Sequence, residues 1–240
     1  MSRTAIIAAI PGELKPLVRG WKRVFRNGVH MWKWHFDEGE WVAACAGAGV
    51  ASATRAFAEV ELDGPVSRVV SVGWAGALKE SYLPGSTYRV SGVIDIRTGE
   101  RFPTSEFEQE CWLATSPRVA DREEKRRLAD AYGAAMVDME ASAIARLAGM
   151  RGIPFDCIKG ISDGFSDALP DFNRFISGQG QFKLADFVLF AILRPRYWPA
   201  LTRMGENSKR ADQGIAAALL DFLDERGHIR KQNGYPNYKC

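Results

Sequence analysis

Most apolar residues of this chain fall in short runs separated by amphipathic or charged stretches. Runs such as residues 4–10 and 66–72 are far shorter than the ~20 residues that span a membrane, and they are typical of buried strands. Their alternation with helical patterns predicts an α/β fold with three layers, in which helices cover both faces of a mixed, twisted central sheet. Strands are predicted at residues 4–10, 29–37, 40–46, 66–72, 86–96, 110–115, 134–138 and 154–160, and helices at 50–60, 121–131 and 139–150.

The composition excludes several classes of function. The net charge of +3 is too mild for a nucleic-acid-binding surface, and the mixed-charge run 122–127 predicts a solvated helix face. No signal peptide is predicted. The cysteines and histidines lack the spacing of a disulfide framework or a metal site, so we expect no metal, no cofactor and a reducing cytoplasm. These residues are Cys45, Cys111, Cys157, Cys240, His30, His35 and His228.

Two acidic residues stand where predicted strands end. Glu140 follows the strand 134–138 at the start of a helix, and Asp163 follows the strand 154–160. Ligands of such sheets bind beyond the carboxyl ends of the strands, where Gly49 and Gly73 are also expected. Two acids at neighbouring strand ends therefore indicate a catalytic cleft.

Five segments, in order, resemble the purine nucleoside phosphorylase and uridine phosphorylase superfamily. The closer likeness is to its methylthioadenosine/S-adenosylhomocysteine nucleosidases, and it extends from residue 4 to about residue 170. The resemblance implies the nucleoside phosphorylase-like fold. The segments are Ala8-Ala9-Ile10-Pro11-Gly12-Glu13-Leu14, Ala46-Gly47-Ala48-Gly49-Val50, Val72-Gly73-Trp74-Ala75-Gly76-Ala77-Leu78 with Leu83-Pro84-Gly85-Ser86, Val137 to Ala148, and Gly160-Ile161-Ser162-Asp163.

The resemblance implies a role for each acid in cleaving the N-glycosidic bond of a purine nucleoside. Asp163 would protonate the leaving base near N7, which requires a protonated carboxyl group; its alternative role is a helix N-cap. Glu140 would bind the ribose hydroxyls, or be only a first-turn helix acid. Met139 would pack on the sugar or belong to the core. Glu13 would orient or deprotonate water, or cap the turn after Pro11.

One position argues for water as the nucleophile. Phosphorylases of the superfamily carry a phosphate-binding Arg two residues before the first Gly of the Gly-x-x-Gly turn, and this chain has Ser71. A neutral side chain does not supply the charge that phosphate demands. Hydrolysis is therefore favoured. Phosphorolysis stays open, because Lys33, Arg55 and Arg89 are available to form a phosphate site.

Three departures from the family pattern leave the substrate open. Trp74 occupies a place inside the Gly-x-x-Gly turn where nucleosidases have Ser, and it would line the pocket or fill part of it. Lys159 replaces an Arg that helps to place the water. The base-binding loop 114–120 lacks the usual aromatic residue, and Val119 is its candidate contact with the base. Gly73 of the turn completes the predicted substrate-binding residues.

The C-terminal region differs most from the family. The apolar segment 182–193 is followed by Arg194-Pro195-Arg196-Tyr197-Trp198-Pro199 and a predicted helix at 207–225. This pattern is similar to the hopanoid-associated members of the superfamily, which act on an adenosine-linked triterpenoid. It suggests a substrate with a bulky apolar 5′ group, or a membrane-surface contact. The alternative is a buried helix with a dimer contact, and a homodimer is expected.

These expectations define one domain and two classes of function. Residues 1–226 are predicted to form a single domain with a diverged helical part at about 171–226, and 227–240 a flexible tail. The predicted activity is release of adenine from a nucleoside by water. The alternative class is a non-catalytic nucleoside or lipid sensor, which Trp74 and Lys159 motivate. The presence of all three expected carboxylates argues against it.

Overall fold

The computed structural model describes residues 2–36, 39–105, 111–167, 170–178, 180 and 182–225. The strands are β1 (Ser2–Ala8), β2 (Lys22–Arg26), β3 (Val29–Phe36), β4 (Gly39–Cys45), β5 (Arg68–Ala77), β6 (Thr87–Arg89), β7 (Gly92–Asp95), β8 (Arg101–Pro103), β9 (Trp112–Thr115), β10 (Met136–Asp138) and β11 (Phe155–Asp163). The α-helices are α1 (Pro11–Leu14), α2 (Val50–Glu61), α3 (Arg122–Tyr132), α4 (Ala141–Arg151), α5 (Leu184–Ile192) and α6 (Trp198–Glu225). Short 3-10 turns lie at Phe172–Phe175 and Pro195–Tyr197.

The strands form one mixed sheet. Its order is β2-β3-β4-β1-β5-β10-β9-β7-β8, and β11 pairs with β5 and β6. The pairs of β1 with β4 and β5, and of β11 with β5, are parallel, whereas β10 runs antiparallel to β5. Strand β5 is thus the centre of the sheet, with three partners. The predicted fold class is confirmed.

Helices cover both faces of the sheet. Ile7 of β1 packs in a cluster with Phe57 of α2 and Ile144 of α4. The neighbouring Ile6 packs in another cluster with Leu219 of α6. Because successive side chains of a strand point to opposite faces, β1 is buried on both sides, which explains its unbroken apolar sequence.

Helix α6 lies directly on β11 because glycines leave room for it. A Cβ added to Gly160 would lie 2.5 Å from the Cβ of Ala211, and one added to Gly214 would lie 2.3 Å from Oγ1 of Thr87. Real Cβ atoms do not approach so closely. The helix therefore continues the fold onto the sheet, and its first half reaches the functional site.

Two central strands are longer than predicted. Strand β5 runs on from Val72 to Ala77, and β11 runs on to Asp163, because the two pair through these residues with a register shift just before Asp163. Gly73 therefore lies within β5, and the prediction that it ends a strand was wrong. The glycines of the turn made the end of the strand look earlier than it is.

Other boundaries also differ from the prediction. Strands β2 and β8 were not predicted, and the predicted strand 86–96 is two strands, since β6 pairs with β11 and β7 pairs with β9. Helix α6 begins at Trp198 instead of 207, because a proline in the first turn needs no N–H partner. Residues 37, 38 and 110 and the predicted tail 227–240 lie outside the described residues.

Two further findings concern the described part of the chain. None of its helices has the length and apolar character needed to cross a membrane. Cys45, Cys111 and Cys157 are buried free thiols.

Candidate active site

A cavity of about 310 Å³ lies beside the carboxyl-terminal ends of β1, β5, β10 and β11. All three predicted acids line it, and we call Glu13, Glu140 and Asp163 the acidic floor. The other residues that line the cavity are Ala9, Ile10, Ala48, Trp74, Ala75, Gly76, Arg118, Val119, Ala120, Lys125, Val137, Asp138, Met139, Ser162, Phe172, Ile176, Gly180, Phe182 and Met204.

Backbone N–H groups hold Glu13 in place. Its Oε2 accepts from the N–H groups of Ala9 and Ile10 at 2.9 and 3.0 Å, and its Oε1 accepts from that of Trp74 at 2.8 Å. The first two bonds cap the turn at α1, as the alternative reading expected. The third joins Glu13 to β5. Burial raises the pKa of Glu13, although these N–H donors oppose the shift.

Gly73 makes the approach of Glu13 to β5 possible. Its φ of +131° is a conformation that side-chain-bearing residues rarely adopt. A Cβ at this position would lie 2.7 Å from Oε1 of Glu13. Gly73 thus acts through the backbone space that it leaves for the carboxylate. It is not among the residues that line the cavity.

Asp138 caps helix α4, which leaves Glu140 to point into the cavity. Oδ2 of Asp138 accepts from the N–H of Ala141 at 3.0 Å. Glu140 instead accepts from the N–H of Gly49 at 2.6 Å and from that of Met139 at 3.2 Å. Burial, followed by the nearby charge of Asp138, raises the pKa of Glu140 to about 8. Met139 lines the cavity beside it.

Lys159 forms a buried ion pair below the cavity. Its Nζ lies 2.9 Å from Oδ2 of Asp138, and the two side chains are 1% and 0% exposed. The charge of Asp138 raises the pKa of Lys159 against the opposing effect of burial. The structure therefore places Lys159 behind the floor, where it balances buried acids, and not in the cavity wall.

Asp163 ends β11 and is paired with a lysine that the sequence did not single out. Nζ of Lys125 donates to Oδ2 of Asp163 and, at 2.6 Å, to the carbonyl of Gly164. Oδ1 of Asp163 accepts from Oγ of Ser162 at 2.6 Å. No helix starts at Asp163, so its alternative role as an N-cap was wrong.

Trp74 lines the cavity and ties it to helix α6. Its indole Nε1 donates to Oδ1 of Asp212 at 2.6 Å. Burial raises the pKa of Asp212 to about 7, and the charge of Glu13 adds to the shift. The indole is thus held by α6 at the wall of the cavity.

Residues beyond the family motifs form an apolar wall, which we define as Phe172, Ile176, Phe182 and Met204. Asn173 fixes this wall to the predicted base-binding loop. Its side-chain amide accepts from the N–H of Val119 at 2.8 Å and donates to the carbonyl of Val119 at 3.0 Å. The sequence offered an apolar C-terminal segment as a signal, but nothing that placed it at the cavity.

Gly180, from the C-terminal part of the chain, contacts the glycine turn that contains Gly47 and Gly49. The N–H of Ala48 donates to the carbonyl of Gly180 at 2.7 Å. Gly180 has a φ of +75°, and a Cβ there would lie 2.0 Å from the carbonyl oxygen of Ala48. Gly180 is therefore required for this contact. It was not predicted.

The basic residues considered for a phosphate site lie elsewhere. Lys33 pairs with Asp63, the guanidinium of Arg55 donates to the carbonyl of Ala46, and Arg89 lies over the ring of Phe222. None of these three cations lines the cavity. Ser71 is buried in β5. In the described part of the chain, no cluster of His, Cys, Asp or Glu is suited to a metal ion.

Comparisons with known proteins agree with this architecture. A family model described as the phosphorylase superfamily matches residues 111–183. No curated protein matches the sequence.

Solved structures of a hydrolase and of nucleosidases share the fold. A futalosine hydrolase of Helicobacter pylori is 17% identical with a TM-score of 0.70, over 93% of this chain and 98% of that chain. A 5′-methylthioadenosine/S-adenosylhomocysteine nucleosidase of the same organism is 17% identical with a TM-score of 0.69, over 94% and 99%. A 5′-methylthioadenosine nucleosidase of Arabidopsis thaliana is 14% identical with a TM-score of 0.71, over 93% and 96%. The resemblance to the phosphorylase superfamily is thereby confirmed over residues 111–183, and the solved structures share the fold of most of the chain.

Proposed function

We propose that the protein is a purine nucleosidase, which uses water to cleave the N-glycosidic bond of an adenine nucleoside. One observation carries the proposal: Glu13, Glu140 and Asp163 line a single cavity, each with different fixed partners. The fold, shared with structures named as nucleosidases and a hydrolase, adds support.

The three carboxylates have complementary tasks in this reaction. The bond between C1′ and N9 breaks, its electron pair goes to the purine, and Asp163 delivers a proton to N7. Glu140 accepts hydrogen bonds from the ribose hydroxyls, and its negative charge favours the cationic sugar. A water oxygen bonds to C1′, and Glu13 takes the proton that this water loses.

Water is a better candidate than phosphate as the nucleophile. The N–H groups of Ala9, Ile10 and Trp74 hold Glu13 at the cavity, and a carboxylate there repels a phosphate dianion. The lysine that lines the cavity, Lys125, is already paired with Asp163. Arg118 also lines the cavity, but 65% of its side chain is exposed. This side chain is the cation to replace if phosphate does stimulate the reaction.

Release of free base from a panel of purine nucleosides tests the activity. We expect adenine from adenosine-type substrates, no release by Asp163→Asn, and nucleoside binding by that variant close to wild type. Asp171→Asn is the matched control, because Asp171 is an exposed acid that does not line the cavity. Binding without base release by the wild-type protein would favour the sensor.

A second candidate substrate is an adenosine with a bulky apolar 5′ group. The apolar wall of Phe172, Ile176, Phe182 and Met204 favours it, since four such side chains exceed what a small sugar requires. The test compares kcat/KM for methylthioadenosine and for adenosine with a long 5′-alkyl chain. A higher value for the alkyl compound supports this substrate class, and a lower value excludes it.

We also propose that residues 1–226 form one domain and that the protein is a homodimer. Helix α6 packs on the sheet, which supports the single domain. Exposed apolar side chains at Val188, Leu189, Ile192 and Leu193 support a contact between copies. Sedimentation measures the mass in solution: twice the chain mass is expected, and the single chain mass would exclude the dimer. Binding to anionic vesicles would instead indicate a membrane contact of this surface.

A further inference from the structure

Lys125 is a buried cation in a helix that its sequence marks as solvent-exposed. It lies in the run 122–127, which predicted a solvated face, yet it is only 2% exposed. Lys125 and Leu128 are the buried residues of α3, three positions apart on one side of the helix. The prediction was wrong for this one residue. A buried charge is costly unless it is paired, so its partner decides what it does.

The partner of Lys125 is the proposed acid. Its ammonium donates to Oδ2 of Asp163 and to the carbonyl of Gly164, and it lines the cavity. Gly76 of β5 makes room for the pair: a Cβ there would lie 3.1 Å from both Oδ2 of Asp163 and Cε of Lys125. Three elements of the fold thus meet around one carboxylate and one ammonium.

This pairing raises a problem for the release of the base. With Lys125 charged, both oxygens of Asp163 accept hydrogen bonds, one from Lys125 and the other from Ser162. N7 of a purine is also an acceptor, so a carboxylate cannot donate to it. A proton must reach Asp163 before the base can leave neutral. Its oxygens contact the proton donors Nζ of Lys125 and Oγ of Ser162, and the ammonium is by far the stronger acid of the two.

We propose that Lys125 supplies, through Asp163, the proton that the leaving base takes. This inference rests on the proposed nucleosidase function. As the bond from C1′ to N9 breaks, N7 gains the proton of Asp163, and Nζ of Lys125 passes a proton to the carboxylate. Lys125 is left neutral and Asp163 ionised. Glu13 releases the proton taken from water to the solvent, and Lys125 regains one from the solvent, so the protons balance.

A pair of substrates separates this role from a structural one. A purine must be protonated to leave well, whereas the nitrophenolate of p-nitrophenyl β-D-ribofuranoside leaves as a stable anion. For Lys125→Met we expect kcat/KM on adenosine to fall about 100-fold, and on the nitrophenyl riboside by less than about threefold. Arg127→Met is the matched control, because Arg127 is an exposed residue of α3 paired with Glu124. It should leave both values unchanged.

Two results would overturn the inference. An equal loss on both substrates would give Lys125 a structural role. Unchanged or increased activity on adenosine would show that Asp163 takes its proton directly from solvent once the lysine is gone. If the wild-type protein cleaves neither substrate, the proposed function fails instead, so the two failures are distinguishable.

A second comparison covers the case in which Lys125→Met does not fold. The double variant Lys125→Met/Asp163→Asn has no uncompensated buried carboxylate, and it is compared with Asp163→Asn alone. If Lys125 acts through Asp163, the two variants have the same activity on the nitrophenyl riboside, whose leaving group needs no acid and whose cleavage therefore stays measurable without Asp163. A further loss of more than about tenfold in the double variant would contradict this.

Discussion

The two sides of the cavity are built in different ways. The acidic floor comes from α1, β11 and the start of α4, and each of its carboxylates has hydrogen-bond donors of its own. The apolar wall comes from the C-terminal part and has few polar contacts, among them the amide of Asn173 on Val119. The floor is thus fixed for chemistry, whereas the wall offers shape and apolar surface. We therefore expect changes in the floor to alter kcat or stability, and changes in the wall to alter KM and substrate preference.

After the loss of base release in Asp163→Asn, the largest expected effect is that of Glu13→Gln in the floor. Removing the group that takes a proton from water should lower kcat about 1000-fold. Nucleoside affinity should stay within about threefold, because Glu13 acts on the water and not on the base or ribose. Single-turnover rates and equilibrium binding measure the two quantities. A variant that binds nucleoside poorly but keeps its kcat would move Glu13 from the reaction to substrate binding.

The next effect concerns the charges behind the floor. Lys159→Met leaves Asp138 buried without its cation, so the free energy of unfolding should fall by about 3–5 kcal/mol. Denaturant unfolding measures this change. The double variant Lys159→Met/Asp138→Asn should recover part of the loss, since an Asn can still cap α4. Full stability in the single variant would mean that Lys159 does not balance Asp138.

The pH dependence of kcat/KM reports on Glu140 in the free enzyme. Its pKa is raised to about 8, and ribose binding needs the ionised form, which prevails above that value. The value of kcat/KM should therefore fall as the pH decreases below 8, by about tenfold per unit. The groups around Glu140 are Asp138, Lys159 and Glu13.

Asp212 provides the control for this decrease of kcat/KM below pH 8, because its own pKa is raised to about 7 and it contacts Trp74. The decrease should persist in Asp212→Asn. A profile that is flat between pH 6 and 8 in the wild-type protein would contradict the assignment of Glu140 to the ribose.

The smallest expected effect lies in the apolar wall. Phe182→Ala should raise KM for an apolar 5′-substituted nucleoside about tenfold, and should change kcat less than about twofold. Phe25→Ala is the matched control, because Phe25 is an exposed aromatic residue of β2 outside the cavity. A large loss of kcat in Phe182→Ala would remove the distinction between floor and wall.

Glu140 and Asp163 of the floor could be predicted from the sequence because they stand at the ends of apolar strands, and local patterns mark such ends. Glu13 was predicted from the family resemblance of its segment. Glu13, Glu140 and Asp163 all line the cavity. The end of β5 was missed for a physical reason. A glycine at positive φ can remain within a strand when a neighbouring strand pairs with it, as Lys159 of β11 pairs with Gly73, and local sequence does not show that pairing.

The wall and the lysines could not be predicted, because their positions depend on contacts between distant segments. Lys125 has the sequence surroundings of a surface residue, and only the packing of α3 against the end of β11 buries it. Lys159 looked like a cavity residue but pairs with Asp138. Gly180 lies at the cavity through its contact with Ala48, which is far away in the sequence.

The most direct test of the central claim is the reaction of the wild-type protein with an adenine nucleoside in phosphate-free buffer, followed by identification of both products. We predict free adenine and the free sugar in equal amounts, with a rate that added phosphate does not increase. Absence of base release without phosphate, and formation of a sugar 1-phosphate with it, would contradict the claim that the floor activates water.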